Sequence, residues 1–143
     1  MKIGFIGLGT MGAGMALNLR KAGFDLLVND LRREAGDRHV AQGCVWMDSP
    51  RELAKASNVV FTSLPGPREI EALALADDGL LHGMRRGTTW FDLSTNSPTL
   101  VRKLHEKFAA NGIATLDAPV SGGPKGDNSG KLALWFGGDE AQY

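Results

Sequence analysis

Residues 2–12 read KIGFIGLGTMG, and this stretch decides the fold. Residues 2–6 form a short apolar run that predicts a buried strand, and Gly7-Leu8-Gly9-Thr10-Met11-Gly12 follows it in the pattern G-x-G-x-x-G. A helix is predicted from Thr10 to Ala22, because Arg20 and Lys21 lie in its last turn and a glycine follows. This glycine pattern indicates a dinucleotide-binding turn much more strongly when it lies between a strand and a helix than when it occurs elsewhere.

The glycines of this turn have separate physical roles in binding a dinucleotide. Gly7 permits the tight turn, Gly9 lets the backbone approach a pyrophosphate, and Gly12 lets the helix pack closely on the strand. The amides at the start of the helix then face the phosphate anion. The residues predicted to hold the pyrophosphate are Gly7, Leu8, Gly9, Thr10, Met11 and Gly12.

An acidic residue directly follows the second predicted strand, which covers residues 24–29. Asp30 lies 18 residues after Gly12, where a carboxylate would bind the hydroxyls of the adenosine ribose. A carboxylate repels a 2′-phosphate, so Asp30 favours NAD over NADP as the cofactor. Arg32 and Arg33 keep NADP possible, since either could reach such a phosphate. Their alternative role is that of solvated charges at the start of a helix.

Strands and helices alternate along the sequence. This order predicts an α/β fold of the Rossmann type, with a doubly wound, mainly parallel sheet and helices on both faces. Apolar runs such as residues 58–64 fit strands that are buried on both faces. Residues 119–130 are predicted to be a loop and residues 132–136 a last strand. No linker interrupts the pattern, so we expect one dinucleotide-binding domain over residues 1–143.

The composition excludes several classes of protein. Lys and Arg number 16, as do Asp and Glu, so no basic excess favours nucleic acid. The single cysteine, Cys44, excludes a disulfide framework and a cysteine-built metal site, and we expect no metal. The uncharged residues 3–19 include five glycines and fit neither a signal peptide nor a membrane span. We expect a cytoplasmic protein without a membrane partner, with Cys44 buried and His39, His82 and His105 at the surface.

Two further motifs carry a family resemblance. Residues 92–98 read DLSTNSP and residues 117–123 read DAPVSGG, each after a predicted strand. Together with GFIGLGTMG at residues 4–12 and with Leu64-Pro65, they resemble the β-hydroxyacid dehydrogenases, the family of 3-hydroxyisobutyrate dehydrogenase. The resemblance covers nearly the whole sequence. 6-Phosphogluconate dehydrogenase is a relative of that family, with a different sequence around these motifs.

The resemblance implies where the rest of the cofactor would lie. Leu64 and Pro65 would lie along it after the fourth strand, and Thr95 would contact the nicotinamide half. Thr95 and the serine before it are also residue types preferred at the start of a helix. The sequence departs from the family at Glu69, where family members often have an asparagine near the cofactor.

The second motif implies a site for the carboxylate of a small hydroxy acid substrate. The resemblance assigns this role to Ser121, Gly122 and Gly123, because a hydroxyl and successive glycine amides form a concave anion site. A flexible surface loop is the alternative. Asp127 and Lys131 replace the small or hydroxyl residues usual in the family.

The resemblance also implies a catalytic residue that the sequence does not contain. In the family a lysine of a second, all-helical domain acts as general acid and base, and family members are homo-oligomers. No matching segment occurs before Tyr143, so we expect no catalytic residue here and regard the chain as the cofactor-binding half of such an enzyme, as a fragment or a truncated product. The full reaction would be reversible oxidation of a 3-hydroxy acid to its semialdehyde. The alternative is a stand-alone or regulatory NAD(H)-binding module without turnover.

Overall fold

The structure is a computed structural model that describes residues 1–121, 133–134 and 137–138. Its centre is a six-stranded parallel sheet in the order β3-β2-β1-β4-β5-β6. The chain first winds outward from β1 to one edge of the sheet and then returns to build the other edge from β4. This confirms the predicted doubly wound Rossmann-type fold. The strands are β1 (Lys2–Ile6), β2 (Asp25–Asn29), β3 (Val45–Trp46), β4 (Val59–Thr62), β5 (Thr89–Asp92) and β6 (Ala114–Asp117).

Helices connect the strands. Ser49 and Ser97 cap two of these helices by accepting hydrogen bonds from backbone amides of the first turn, and a proline follows each serine. The helix predicted near residues 32–41 is divided into a 3₁₀ turn and a short α-helix, and the four-residue α5 was not predicted. The helical segments are α1 (Gly12–Lys21), the 3₁₀ turn (Arg33–Gly36), α2 (Asp37–Ala41), α3 (Pro50–Ala56), α4 (Pro67–Leu75), α5 (Leu80–Gly83) and α6 (Pro98–Ala109).

The core has two layers because alternate residues of a strand point to opposite faces of a sheet. Phe5 belongs to one buried cluster and Ile6 to the other. On the first face Phe5, Phe61 and Phe91 form a row, with ring centroids 6.2 and 5.1 Å apart. On the second face Trp90 packs on Phe108 at 4.9 Å. The two layers fix the sheet between the helices.

A small antiparallel pair lies outside the main sheet. β7 (Val120–Ser121) pairs with β8 (Ala133–Leu134). The prediction of a loop over residues 119–130 is therefore wrong at Val120–Ser121, since these residues find a partner more than ten positions later in the chain. β8 falls within the strand predicted for residues 132–136.

His39 corrects a second expectation. Its side chain is 1% exposed, and Nε2 lies 3.0 Å from the carbonyl oxygen of Ala13 in the first turn of α1. The prediction that it lies at the surface is wrong because α2 packs against α1 and buries the ring. His82 and His105 are exposed, and Cys44 is buried, as predicted. Among the helices in the described ranges, none has the length and apolar character needed to cross a membrane.

The contact of Gly12 with the strand end predicts how two glycine substitutions differ. A Cβ on Gly12 would overlap the carbonyl oxygen of Gly7, whereas one on Gly9 would meet nothing within 4 Å. We expect Gly12→Ala to lower the free energy of unfolding by about 1–3 kcal/mol, the usual cost of overpacking. The matched Gly9→Ala should change it by less than about 0.5 kcal/mol. Urea denaturation measures both, and equal effects would contradict the packing role of Gly12.

Candidate functional site

The glycine turn lies at the carboxyl edge of the sheet, between β1 and α1. Gly7 has φ +96°, a conformation that side chains disfavour, and its amide donates to the carbonyl oxygen of Asn29 at 3.1 Å. A Cβ at Gly7 would also overlap the carbonyl oxygen of Ser63. The turn is therefore packed between the ends of β2 and β4, and Gly12 closes it from the helix side.

The outer side of the turn is open. Gly9 and Thr10 are exposed, and no atom lies near the position of a Gly9 Cβ. Met11 precedes α1 without a side-chain cap, and the first turn of α1 contains no acidic residue. The first amides of a helix lack intrahelical acceptors. This open helix start is suited to an anion that approaches over Gly9.

Asp30 is tied to the turn. Its Oδ2 accepts a hydrogen bond from the amide of Leu8 at 2.8 Å, and its Oδ1 accepts one from the amide of Arg32 at 2.9 Å. A carboxylate has about four acceptor positions, so both oxygens can accept further hydrogen bonds. The structure thus brings together the turn and the acid that the sequence predicts as partners in one site.

A buried carboxylate organises the neighbouring strand ends. Asp92 Oδ1 accepts hydrogen bonds from the Thr62 hydroxyl at 3.0 Å and the Ser94 amide at 3.1 Å, and Oδ2 accepts one from Asn96 Nδ2 at 3.0 Å. Ser94 Oγ in turn accepts from the amide of Leu64 at 2.8 Å. Burial raises the pKa of Asp92, and these hydrogen bonds act in the opposite direction.

This network positions residues that the sequence analysis singled out. Thr95 lies exposed between Ser94 and Asn96, and Leu64 contacts the inside of the glycine turn near Gly7. The role of Asp92 was missed, although a polar residue that ends an otherwise apolar strand is a usable signal. Pro65 is exposed beside Leu64.

Asp117 is the register partner of Asp92 on the adjacent strand. Burial raises the pKa of Asp117, and the neighbouring Asp92 raises it further. Its Oδ1 is buried and has no hydrogen-bond partner within the described part of the chain. Both carboxyls border a cavity of about 290 Å³ between α6 and β6. Among the described residues that are predicted to bind the cofactor or substrate, none lines this cavity.

Ser121 is the one predicted substrate residue that the structure describes. Ser121 is exposed in β7, and Gly122 and Gly123 lie outside the described residues. Over residues 1–121 and the two short segments after them, no group of three His, Cys, Asp or Glu side chains could hold a metal ion.

The glycine turn, the acid at the end of β2 and the strand order are the features of a dinucleotide-binding domain. A family model for the NAD binding domain of 6-phosphogluconate dehydrogenase matches residues 2–143. The chain belongs to this family. Nicotinamide dinucleotide is accordingly the cofactor class of this NAD-binding domain, as the sequence predicted.

Relatives of the NAD-binding domain are dehydrogenases of hydroxy acids. An NAD-dependent L-serine dehydrogenase of Pseudomonas aeruginosa is 46% identical over 138 residues, which are 96% of this chain and 46% of that protein. A mitochondrial 3-hydroxyisobutyrate dehydrogenase of Drosophila melanogaster is 43% identical over 141 residues, which are 99% of this chain and 43% of that protein. The chain spans about half the length of the curated relatives it matches.

A solved structure extends the likeness to three dimensions. A 3-hydroxyisobutyrate dehydrogenase of Mycobacterium tuberculosis, solved with L-serine, superposes with a TM-score of 0.91 at 36% identity, over 98% of this chain and 47% of that one. The NAD-binding domain therefore has the fold of the matching part of that 3-hydroxyisobutyrate dehydrogenase, and the family resemblance of its motifs is confirmed.

The raised pKa of Asp117 predicts a pH-dependent effect of removing its charge. The folded chain binds this proton more tightly than the unfolded chain, so stability falls as the pH rises above the ordinary value of 3.8. We expect Asp117→Asn to raise the melting temperature at pH 7 and to lose that advantage as the pH falls below about 4, where Asp117 of the wild type is protonated in both the folded and the unfolded chain. Melting curves across this range measure it.

The matched control for this prediction is Asp25→Asn. Asp25 is exposed at the other end of the sheet, and its substitution should leave the curve close to that of the wild type. An Asp117→Asn variant that is less stable at pH 7, or whose advantage does not vary with pH, would contradict the assigned cause.

Proposed function

We propose that the chain binds NAD across the carboxyl edge of the sheet and is the cofactor-binding half of an enzyme that oxidises a small 3-hydroxy acid to its semialdehyde. The observation that carries the proposal is the open start of α1 above Gly9, with Asp30 hydrogen-bonded to the same turn. The family and the relatives support the chemistry, since L-serine and 3-hydroxyisobutyrate each carry a hydroxyl on the carbon β to a carboxylate.

The pyrophosphate is the part of the cofactor that the turn fits best. A side chain at Gly9 would fill the space that a phosphate needs, since no atom lies within 4 Å of a Cβ built there. The amides of Thr10, Met11 and Gly12 donate to the anion in the proposed complex. The partial positive charge at the start of α1 adds to these hydrogen bonds.

Asp30 binds the adenosine ribose in this proposal. Its two oxygens accept from the vicinal hydroxyls while keeping their bonds to the amides of Leu8 and Arg32. The carboxylate selects NAD over NADP because the 2′-phosphate would lie against a like charge.

The remaining contacts concern the reacting end of the cofactor. Leu64 and Pro65 lie along it, and Thr95 contacts the nicotinamide half. Bound NAD supplies the hydride acceptor of the reaction. Ser121, Gly122 and Gly123 hold the substrate carboxylate with a hydroxyl and backbone amides. The group that takes the proton from the substrate hydroxyl is the family lysine, which these 143 residues do not contain.

Removal of the Asp30 carboxylate tests the ribose contact. We expect Asp30→Ala to weaken NADH binding by about 1.5–3 kcal/mol, the range for a hydrogen bond to a charged group, or roughly 10- to 150-fold. Quenching of tryptophan fluorescence by NADH gives the dissociation constant. Tighter binding of NADPH than of NADH to the wild type would contradict the assignment.

Two variants are the controls for this measurement. Asp25→Ala removes the same charge from the exposed start of the same strand and should bind NADH like the wild type. Gly9→Ala, which should fold normally, is expected to lose NADH affinity because its methyl group occupies the phosphate position. Normal binding by Gly9→Ala would show that the pyrophosphate lies elsewhere.

An activity assay tests the proposal that this chain binds the cofactor but lacks the base of the reaction. The 143-residue chain should bind NADH and yet reduce no NAD when L-serine or 3-hydroxyisobutyrate is added, because the proton acceptor is missing. Absorbance of NADH at 340 nm follows the reaction. Oxidation of either acid by this chain alone would contradict the proposal that the essential base lies outside it.

A further inference from the structure

The two arginines after Asp30 have different environments. The Arg33 guanidinium lies over the ring of Trp46, with Cζ 4.6 Å from the ring centroid. Its Nη1 also lies 3.0 Å from Asp37 Oδ1, one helical turn further along the chain. Arg32 contributes its backbone amide to Asp30 and is exposed. Arg33 is thus held by two partners that compensate or attract its charge.

The surface under Arg33 is built into the edge of the sheet. Trp46 belongs to β3 and pairs in register with Val28 of β2, and its indole Nε1 donates to Asp48 Oδ1 at 3.1 Å. Gly36 gives the indole room, since a Cβ there would lie 2.5 Å from a ring carbon. The ring position is therefore fixed by β3 and Gly36, independently of Arg33.

The contacts of Arg33 with Asp37 and Trp46 concern the choice between NAD and NADP, because Arg33 lies three residues after Asp30. NADP carries its additional phosphate on the ribose that Asp30 is proposed to bind, and a phosphate monoester has a charge of about −1.5 to −2 near pH 7. A site with Asp30 must supply a cation to accept that group. Arg32 and Arg33 are the cations that follow Asp30 most closely, and the charge of Arg33 is already paired with Asp37.

We propose that Asp37 and Trp46 hold Arg33 away from the 2′-phosphate position and thereby strengthen the preference for NAD over NADP. This inference rests on the proposed function, because it requires the ribose to lie at Asp30. Arg33 and Asp37 act as specificity-determining residues and take no part in hydride transfer. Release of Arg33 from Asp37 would leave its guanidinium free to bind a phosphate.

The expected size of the effect is moderate. The side chains of Arg33 and Asp37 are 53% and 70% exposed, and exposed ion pairs and cation–π contacts are weak. We therefore expect Asp37→Asn to tighten NADPH binding about three- to tenfold. NADH binding should change by less than about twofold, since NADH has no 2′-phosphate. Calorimetric titration of the full chain with each dinucleotide measures both constants.

Two further variants separate release of Arg33 from a general change of charge. Glu34→Gln removes the same charge from the same exposed segment, and Glu34 is not an ion-pair partner of Arg33 among the described side chains. It should change NADPH affinity by less than about twofold. The double variant with Arg33→Gln and Asp37→Asn should lose the gain of the single variant.

The outcomes distinguish this inference from the function on which it rests. An unchanged NADPH-to-NADH ratio in Asp37→Asn, an equal gain in Glu34→Gln, or a gain that survives in the double variant would each overturn the role of Arg33 while NADH binding stands. A wild-type chain that binds no NADH would overturn the proposed function, and this inference with it.

Discussion

Gly12 lies against the carbonyl oxygen of Gly7, with no room between them for even one carbon atom. This approach sets the direction in which α1 leaves β1, and so it aims the start of the helix at the open side of the turn. The same turn packs against the end of β4 at Ser63 and is bonded to the end of β2 at Asn29. The groups that could meet a dinucleotide are arranged around this one contact.

The two halves of the crevice are fixed by different means. On the β2 side, Asp30 is positioned by backbone amides of the turn and of the next loop. On the β4 side, Asp92 is positioned by side chains and a backbone amide. The amide of Ser94 donates to Asp92, and the Ser94 hydroxyl accepts the amide of Leu64 and so positions it. The strand order reverses between β1 and β4, and such a point is where ligands bind in open α/β sheets. A hydrogen-bonded acid thus lies on either side of the point where the strand order reverses.

The fold could be predicted where the cause was local in sequence. Apolar runs predicted the central strands, and the prolines at positions 50, 67 and 98 marked the starts of helices. The burial of His39 and the pairing of Val120–Ser121 could not be predicted, because each depends on a partner distant in sequence. The divided helix at Arg33–Ala41 is of the same kind, since Gly36 packs under Trp46.

Part of the candidate site could likewise be predicted from the sequence, and part could not. The glycine turn and Asp30 follow from known spacing, whereas the hydrogen bond that joins Leu8 to Asp30 and the network around Asp92 exist only in the folded chain. The contact of Arg33 with Trp46 could not be predicted either, because Trp46 reaches it from a neighbouring strand. The substrate roles of Ser121, Gly122 and Gly123 stay predictions from the family motif.

The central claim is that the carboxyl edge of the sheet, and no other surface, binds the dinucleotide. The most direct test is an NADH titration of the isotope-labelled chain followed by the chemical shifts of its backbone amides. The account predicts the largest changes at residues 8–13, at Asp30 and at residues 64–65 and 94–96. Changes concentrated at the opposite edge, around Lys2, Arg20 and Asp25, would contradict it.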